Sequence, residues 1–386
     1  MLYLDNAATT PLHPLAFQAM TPYLTEHFAN PSSVYRQAQK VRAAINNSRE
    51  TIATSIGANA EEIFFTSSGT ESDNWAIQGA IKKQGGHIIT SSIEHHGIHH
   101  LCKFLETQGI DVTYLPVTSD GFVEPTAVES AIRPDTTLVS IMLANNEVGT
   151  IQPIAEIGEI VKKHKIIFHT DAVQAVGHIP IDVNMLGVDL LSLSAHKFYG
   201  PKGVGALYIR KGTKLDPMLH GGGHERNRRA GTENVAGIIG MGVALTETLK
   251  DLEAENNRIL KIRNKLIDEI LTNIPYTYLN GSSENRLPGN INISFDFIEG
   301  EALILHLDIN GCQASTGSAC SAISLEPSHV LMAMGLSHER TNGAVRFTLG
   351  KHNKEADVTN LLKILKPSVE KIRAMSPLYD DFLRSK

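Results

Sequence analysis

Three cysteines in 386 residues (Cys102, Cys312 and Cys320) are too few, and too odd in number, for a disulfide framework. They fit a reducing compartment and leave at least one thiol needing an explanation. Positive charge is not in excess: 35 basic against 41 acidic side chains give a net charge of −6. Bulk electrostatics therefore give no case for nucleic acid or an anionic membrane. Long hydrophobic runs are missing too. The longest nearly apolar stretch, residues 235–245, is about half the length of a bilayer span and reads as a buried helix. The first five residues, MLYLD, carry an early acid and no basic stretch, so no signal peptide and a cytoplasmic location are expected. Internal repeats and low-complexity linkers are absent. What remains is ordinary globular composition, 42% apolar and 20% charged, which excludes disorder, collagen and coiled coil as overall descriptions. The length passes the roughly 250–300 residues at which one core stops growing, so two domains are expected.

From about residue 13 to 255, short β-branched runs alternate with amphipathic stretches. The runs are 62–66 (EIFFT), 87–90 (HIIT), 111–115 (DVTYL), 137–143 (TLVSIML), 166–169 (IIFH) and 188–193 (VDLLSL). Consecutive apolar positions suit strands covered on both faces. Residues 70–83 and 153–164 have helical spacing. This rhythm predicts a mainly parallel α/β sheet, with active groups at the carboxyl ends of its strands. Residues 234–274 predict two helices leading out of that sheet. A smaller α+β part follows, with strands over 290–295 and 344–349 and a helix over 301–307; the N-terminal dozen residues are expected to pack against it.

Four segments carry chemistry. In residues 192–205 (SLSAHKFYGPKGVG), a buried strand ends at Ser194 and delivers His196 and Lys197 to a glycine-rich turn. Lys197 is either a solvated charge or an imine-forming amine; its hydroxyl and histidine neighbours favour the amine. The glycines that follow lack the helix and acidic residue of a dinucleotide loop. Asp171 closes another strand, as a helix N-cap or as a carboxylate facing a cofactor's protonated ring nitrogen. Ser68 and Glu71 have capping-box spacing, and the helix start at Gly69 and Thr70 offers N–H groups and a hydroxyl to a phosphate. Residues 92–100 (SIEHHGIHH) are histidine-dense. Metal binding by i, i+4 pairs, solvated histidines and one ring-stacking or catalytic histidine are the alternatives there. Cys102 and Cys312 read as structural. Cys320 lies in a small, polar stretch with no apolar neighbour to bury it, which favours a nucleophile.

Together these segments resemble the cysteine desulfurases of the NifS/IscS type, pyridoxal-phosphate enzymes of the fold-type I aminotransferase superfamily. The resemblance runs nearly the full chain: YLDNAATT (3–10), FTSSGTESDN (65–74), NNEVG (145–149), FHTDAVQAVG (168–177), SAHKFYGPKGVG (194–205), HGGGHERNRRAGT (220–232), STGSACS (315–321) and RFTLG (346–350). It implies an α/β fold with a large cofactor domain over 13–255. Residues 1–12 and 256–386 would form a small domain carrying the catalytic-cysteine loop at about 313–326. It implies pyridoxal 5′-phosphate joined to Lys197, with His95 stacked on the ring and moving protons. Asp171 would pair with the ring nitrogen and Gln174 with the phenolic oxygen. Gly69, Thr70, Ser194 and His196 would seat the phosphate, together with Thr232 of a second subunit in a homodimer. Asn146 and Arg346 would hold the substrate carboxylate, Asn146 also touching the cofactor. Cys320 would take sulfur from L-cysteine, leave L-alanine, and pass the persulfide to an iron–sulfur scaffold or a tRNA-thiolation protein. No stable metal site is implied, only transient ligation of an iron–sulfur cluster by Cys320. The rival is another reaction on the same scaffold, such as selenocysteine lyase.

Overall fold

The computed structural model describes residues 1–81, 85–316 and 327–385. Seven strands form one sheet in the order Ile63–Thr66, Gly205–Ile209, Leu190–Ser194, Ile167–Asp171, Thr136–Ser140, His87–Ser91, Asp111–Leu115. Only Gly205–Ile209 runs antiparallel to its neighbours, so the other six point the same way. Successive residues along a strand face opposite sides, and the sequence uses this directly. Phe64, Ile88, Leu138 and Leu190 enter one core with Trp75, Ile77, Ile98 and Leu101, from the helices Gly69–Ala80 and His96–Thr107. Phe65, Ile89, Val139 and Leu191 enter the opposite core with residues of Arg36–Ser55, Ile154–Lys163 and Val235–Leu249. Each fully buried Ile or Leu contributes roughly 1.5–3 kcal/mol by removal from water, which makes the two-faced pattern decisive.

Two differences from expectation are local. The regular strand expected over 137–143 ends at Ser140, although Ile141 N–H and Leu143 N–H still donate to His169 O and Asp171 O; the chain turns only at Asn145, whose Oδ1 accepts from Glu147 N–H at 2.8 Å and Val148 N–H at 3.0 Å. Gly149 follows at φ +77°, with the positive φ that glycine adopts freely. Gly205–Ile209, which the glycines before it disguised as loop, is a fully buried strand. The expected helices over 234–274 are Val235–Leu249 and Leu252–Asn273.

A second, antiparallel sheet has the order Ser315–Thr316, Ala344–Thr348, Asn290–Phe295, Thr277–Leu279. Its own core gathers Ile291, Ile293, Val345 and Phe347 with residues of Leu252–Asn273, Gly300–Ile309 and Glu355–Arg373. Leu4 joins this core, and Leu2–Tyr3 pairs in parallel with Cys312–Gln313. Residues 5–10 then cross to the carboxyl edge of the large sheet as a strap.

Candidate active site

Parallel strands deliver their carboxyl ends to one edge, where irregular backbone can present side chains to a ligand. Asp171 ends one strand, and Ser194 ends its neighbour. The tight turn Ala195–Lys197 follows, held by the Phe198 N–H to Ala195 O bond. Lys197 Nζ donates to Ala7 O at 2.6 Å and Ala8 O at 2.8 Å, on the strap. Gln174 Nε2 donates to Ala7 O at 3.0 Å, and His196 Nδ1 lies 3.2 Å from Thr9 Oγ1. The strap thus gathers Lys197, Gln174 and His196 around one backbone turn.

Asp171 is not a helix N-cap: turns follow it, and its Oδ1 accepts from Val173 N–H at 2.8 Å. Asp73 and His169 lie beneath it. His169 sits between Ser140 Oγ at 2.8 Å and Ser192 Oγ at 3.0 Å, and burial lowers its pKa to about 3. Burial pushes the Asp73 and Asp171 carboxyls up, and the charge of Asp171 raises Asp73 further.

His95 caps the helix His96–Thr107, its Nδ1 accepting from Gly97 N–H at 3.1 Å. The neutral ring therefore carries its proton on Nε2. Burial first, then the Lys197 charge, lowers its pKa to about 4, so it is neutral at pH 7. His196 is lowered to about 4 by burial and the charges of Lys197 and Lys202. The neighbouring histidines pack on one another: His96 and His329 rings lie 4.7 Å apart, and His99 and His329 stack at 5.2 Å. Among the described residues no group of three or more His, Cys, Asp or Glu is placed to hold a metal ion.

The helix Gly69–Ala80 opens at Ser68, whose side chain accepts from Glu71 N–H. The expected capping box closes one residue early: the Glu71 carboxylate accepts from Ser67 N–H at 2.7 Å and binds Arg229. Gly69 and Thr70 have no acceptor for their N–H groups within the helix. A Cβ on Gly69 would meet Val173 Cγ2 at 2.6 Å and Ser194 Cβ at 3.5 Å, so only glycine leaves this cradle open.

Arg346, 2% exposed, lies mid-strand in the small sheet. Its Nη1 donates to Asn146 O at 2.9 Å and its Nη2 to Asp5 Oδ1 at 3.0 Å. Thr232 is exposed, away from hydrogen-bond partners among the described residues. Cys320 lies outside the described residues. Burial raises both Cys102 and Cys312 to about 12, so neither presents a thiolate near neutrality.

A family model, aminotransferase class-V, matches residues 2–361. Cysteine desulfurase IscS of Methanosarcina thermophila is 56% identical over 98% of this chain and 94% of its own length. The chain belongs to the cysteine desulfurases, within the class-V aminotransferases. The IscS of Dictyoglomus turgidum is 55% identical to this desulfurase, covering 97% of it and 96% of the relative. Among solved structures, a NifS-like protein superimposes with a TM-score of 0.88 at 38% identity, over 97% and 98% of the two chains. SspA in complex with cysteine gives 0.81 at 41% identity, over 90% and 99%.

Class-V aminotransferases use pyridoxal 5′-phosphate, and the donor set of this desulfurase fits that group. Open helix N–H groups and the Gly69 cradle suit a phosphate, a buried carboxylate suits a ring nitrogen, and an amine stands beside them. Sequence reasoning assigned no role to Asp5, Ala7, Ala8, Asp73 or His169. The motif YLDNAATT marked the strap as notable without revealing which groups its carbonyls meet.

Proposed function

We propose that this desulfurase acts on L-cysteine through Lys197, His95 and Cys320, giving L-alanine and a persulfide on Cys320. Pyridoxal 5′-phosphate, when bound, supplies an electron sink that weakens bonds at the substrate's α and β carbons. Lys197 would carry it, and Gly69, Thr70, Ser194 and His196 would seat its phosphate, with Thr232 contributed by a second subunit of a homodimer. Asp171 would pair with the ring nitrogen and keep it protonated. Gln174 would donate to the phenolic oxygen.

Arg346 and Asn146 bind the substrate carboxylate. The Lys197 amine takes the α-proton, and His95 would stack on the ring and serve in proton transfer. The Cys320 thiolate then attacks the substrate sulfur as the Cβ–S bond breaks. Carbon gains two electrons and a proton to become the alanine methyl, while the two sulfurs are oxidised to the persulfide level, so atoms and electrons balance. The division into residues 13–255, binding the cofactor, and residues 1–12 with 256–386, carrying the Cys320 loop at about 313–326, belongs to the same reading. So do passage of the persulfide to an iron–sulfur scaffold or tRNA-thiolation protein, transient cluster ligation by Cys320, and a cytoplasmic location. Among the described residues no helix is long and apolar enough to cross a membrane.

The observation that carries the reading is the placement of Lys197 and Asp171 at the ends of adjacent strands, in a chain 56% identical to a named desulfurase. Reconstitution of K197A with pyridoxal 5′-phosphate tests it. The wild type gains a visible absorption band that survives gel filtration, and K197A does not. A stable band in K197A would remove Lys197 from its role.

A further inference from the structure

We propose that Asp5 is a positioning residue for the substrate-carboxylate clamp, holding Arg346 so that its Nε–H edge meets the carboxylate of an incoming amino acid. This rests on reading Arg346 as that clamp.

Arg346 is opposite Asn292 on one neighbouring strand and Ser315 on the other. Asn146 O takes Nη1 and Asp5 Oδ1 takes Nη2, while Nε is buried with no acceptor among the described residues. An orphaned buried donor on a charged group is costly, and a ligand carboxylate relieves that cost with a charge-assisted bond. Asp5 is its acidic partner in this pocket, at 3.0 Å, with their side chains 19% and 3% exposed. Both backbones are fixed to each other. Asp5 bridges to Thr348, two residues from Arg346, and Asn6 Nδ2 donates to Thr348 O at 2.7 Å. Ala7 N–H donates to Thr348 Oγ1 at 2.9 Å. Tyr3 Oη closes the turn against Asp5 O at 3.0 Å and Thr9 O at 2.7 Å. The strap that touches Lys197 therefore also sets the angle of the guanidinium. Without the Asp5 carboxylate, Nη2 loses its fixed acceptor and the buried charge loses the carboxylate in direct contact with it, leaving the more distant Glu147.

The test compares D5A, D5N and R346A holoenzymes with the wild type. L-cysteine is followed by steady-state kinetics. Cysteamine, which has the thiol and amine but no carboxylate, is followed by the change it causes in the visible spectrum. D5A raises KM for L-cysteine by about tenfold or more with kcat within about twofold, the signature of lost uniform binding. D5N keeps an acceptor oxygen but loses the charge, and raises KM by about threefold or more. Cysteamine binding stays within about twofold of wild type in both. An unchanged or lowered KM in D5N overturns the proposal even if D5A fails to fold, as does equal weakening of cysteine and cysteamine. If R346A leaves cysteine affinity intact, the clamp reading itself fails, whatever Asp5 does.

Discussion

His169 is fully buried, and its pKa, about 3, lies well below the ordinary 6.5. The folded chain refuses a proton that the unfolded chain accepts between those values, so stability falls as the pH drops below about 6.5. The slope is up to about 1.4 kcal/mol per pH unit for this one group. H169Q is therefore less stable than wild type at pH 7 but loses stability less steeply between pH 6.5 and 5. Urea unfolding at several pH values checks it, and parallel slopes for the two proteins would count against it. The residue also shows the limit of sequence reading. The position of Lys197 and Asp171 at the sheet edge was legible because each lies at or just past the end of a recognisable strand. His169 was not, because its meaning lies in Ser140 and Ser192, which come from the two flanking strands. Cys102 and Cys312 were correctly separated as structural thiols because apolar neighbours or an adjacent strand accounted for them.

The strand–turn–helix joint at residues 63–80 shows how a local pattern builds an open backbone cradle. Two-faced apolar strands fix the edge, Ser68 caps the helix, and Gly69 lets the backbone approach Val173 and Ser194. G69A places a methyl 2.6 Å from Val173 Cγ2, so something must shift in a densely packed site. Pyridoxal 5′-phosphate affinity is expected to fall by about tenfold or more, measured by equilibrium dialysis of the apoprotein. Affinity within about twofold of wild type would mean that this helix start does not seat the phosphate. Strand existence was readable from composition, whereas the ends were not. The regular strand within 137–143 stops at Ser140 although the apolar run goes on to Leu143, and Gly205–Ile209 hid behind its glycines.

At the level of the entire chain, the small sheet's core and the carboxyl edge of the large sheet are joined by the N-terminal segment: Leu2–Tyr3 pairs with Cys312–Gln313, and the strap that follows holds Lys197 through its Ala7 and Ala8 carbonyls. That coupling was only half legible: the sequence predicted packing of the N-terminus on the smaller part, not its passage across the candidate site. Long-range contact of this kind leaves no periodicity in the chain. In the proposed reaction a sulfur atom moves from a free amino acid to a side chain. The most direct test is one turnover of the reconstituted enzyme with isotopically labelled L-cysteine, followed by mass spectrometry of the intact protein and its peptides. One labelled sulfur on Cys320 per alanine released is the predicted result, with none retained by C320S. Alanine formed at the wild-type rate by C320S, or labelled sulfur on any other residue, would contradict it.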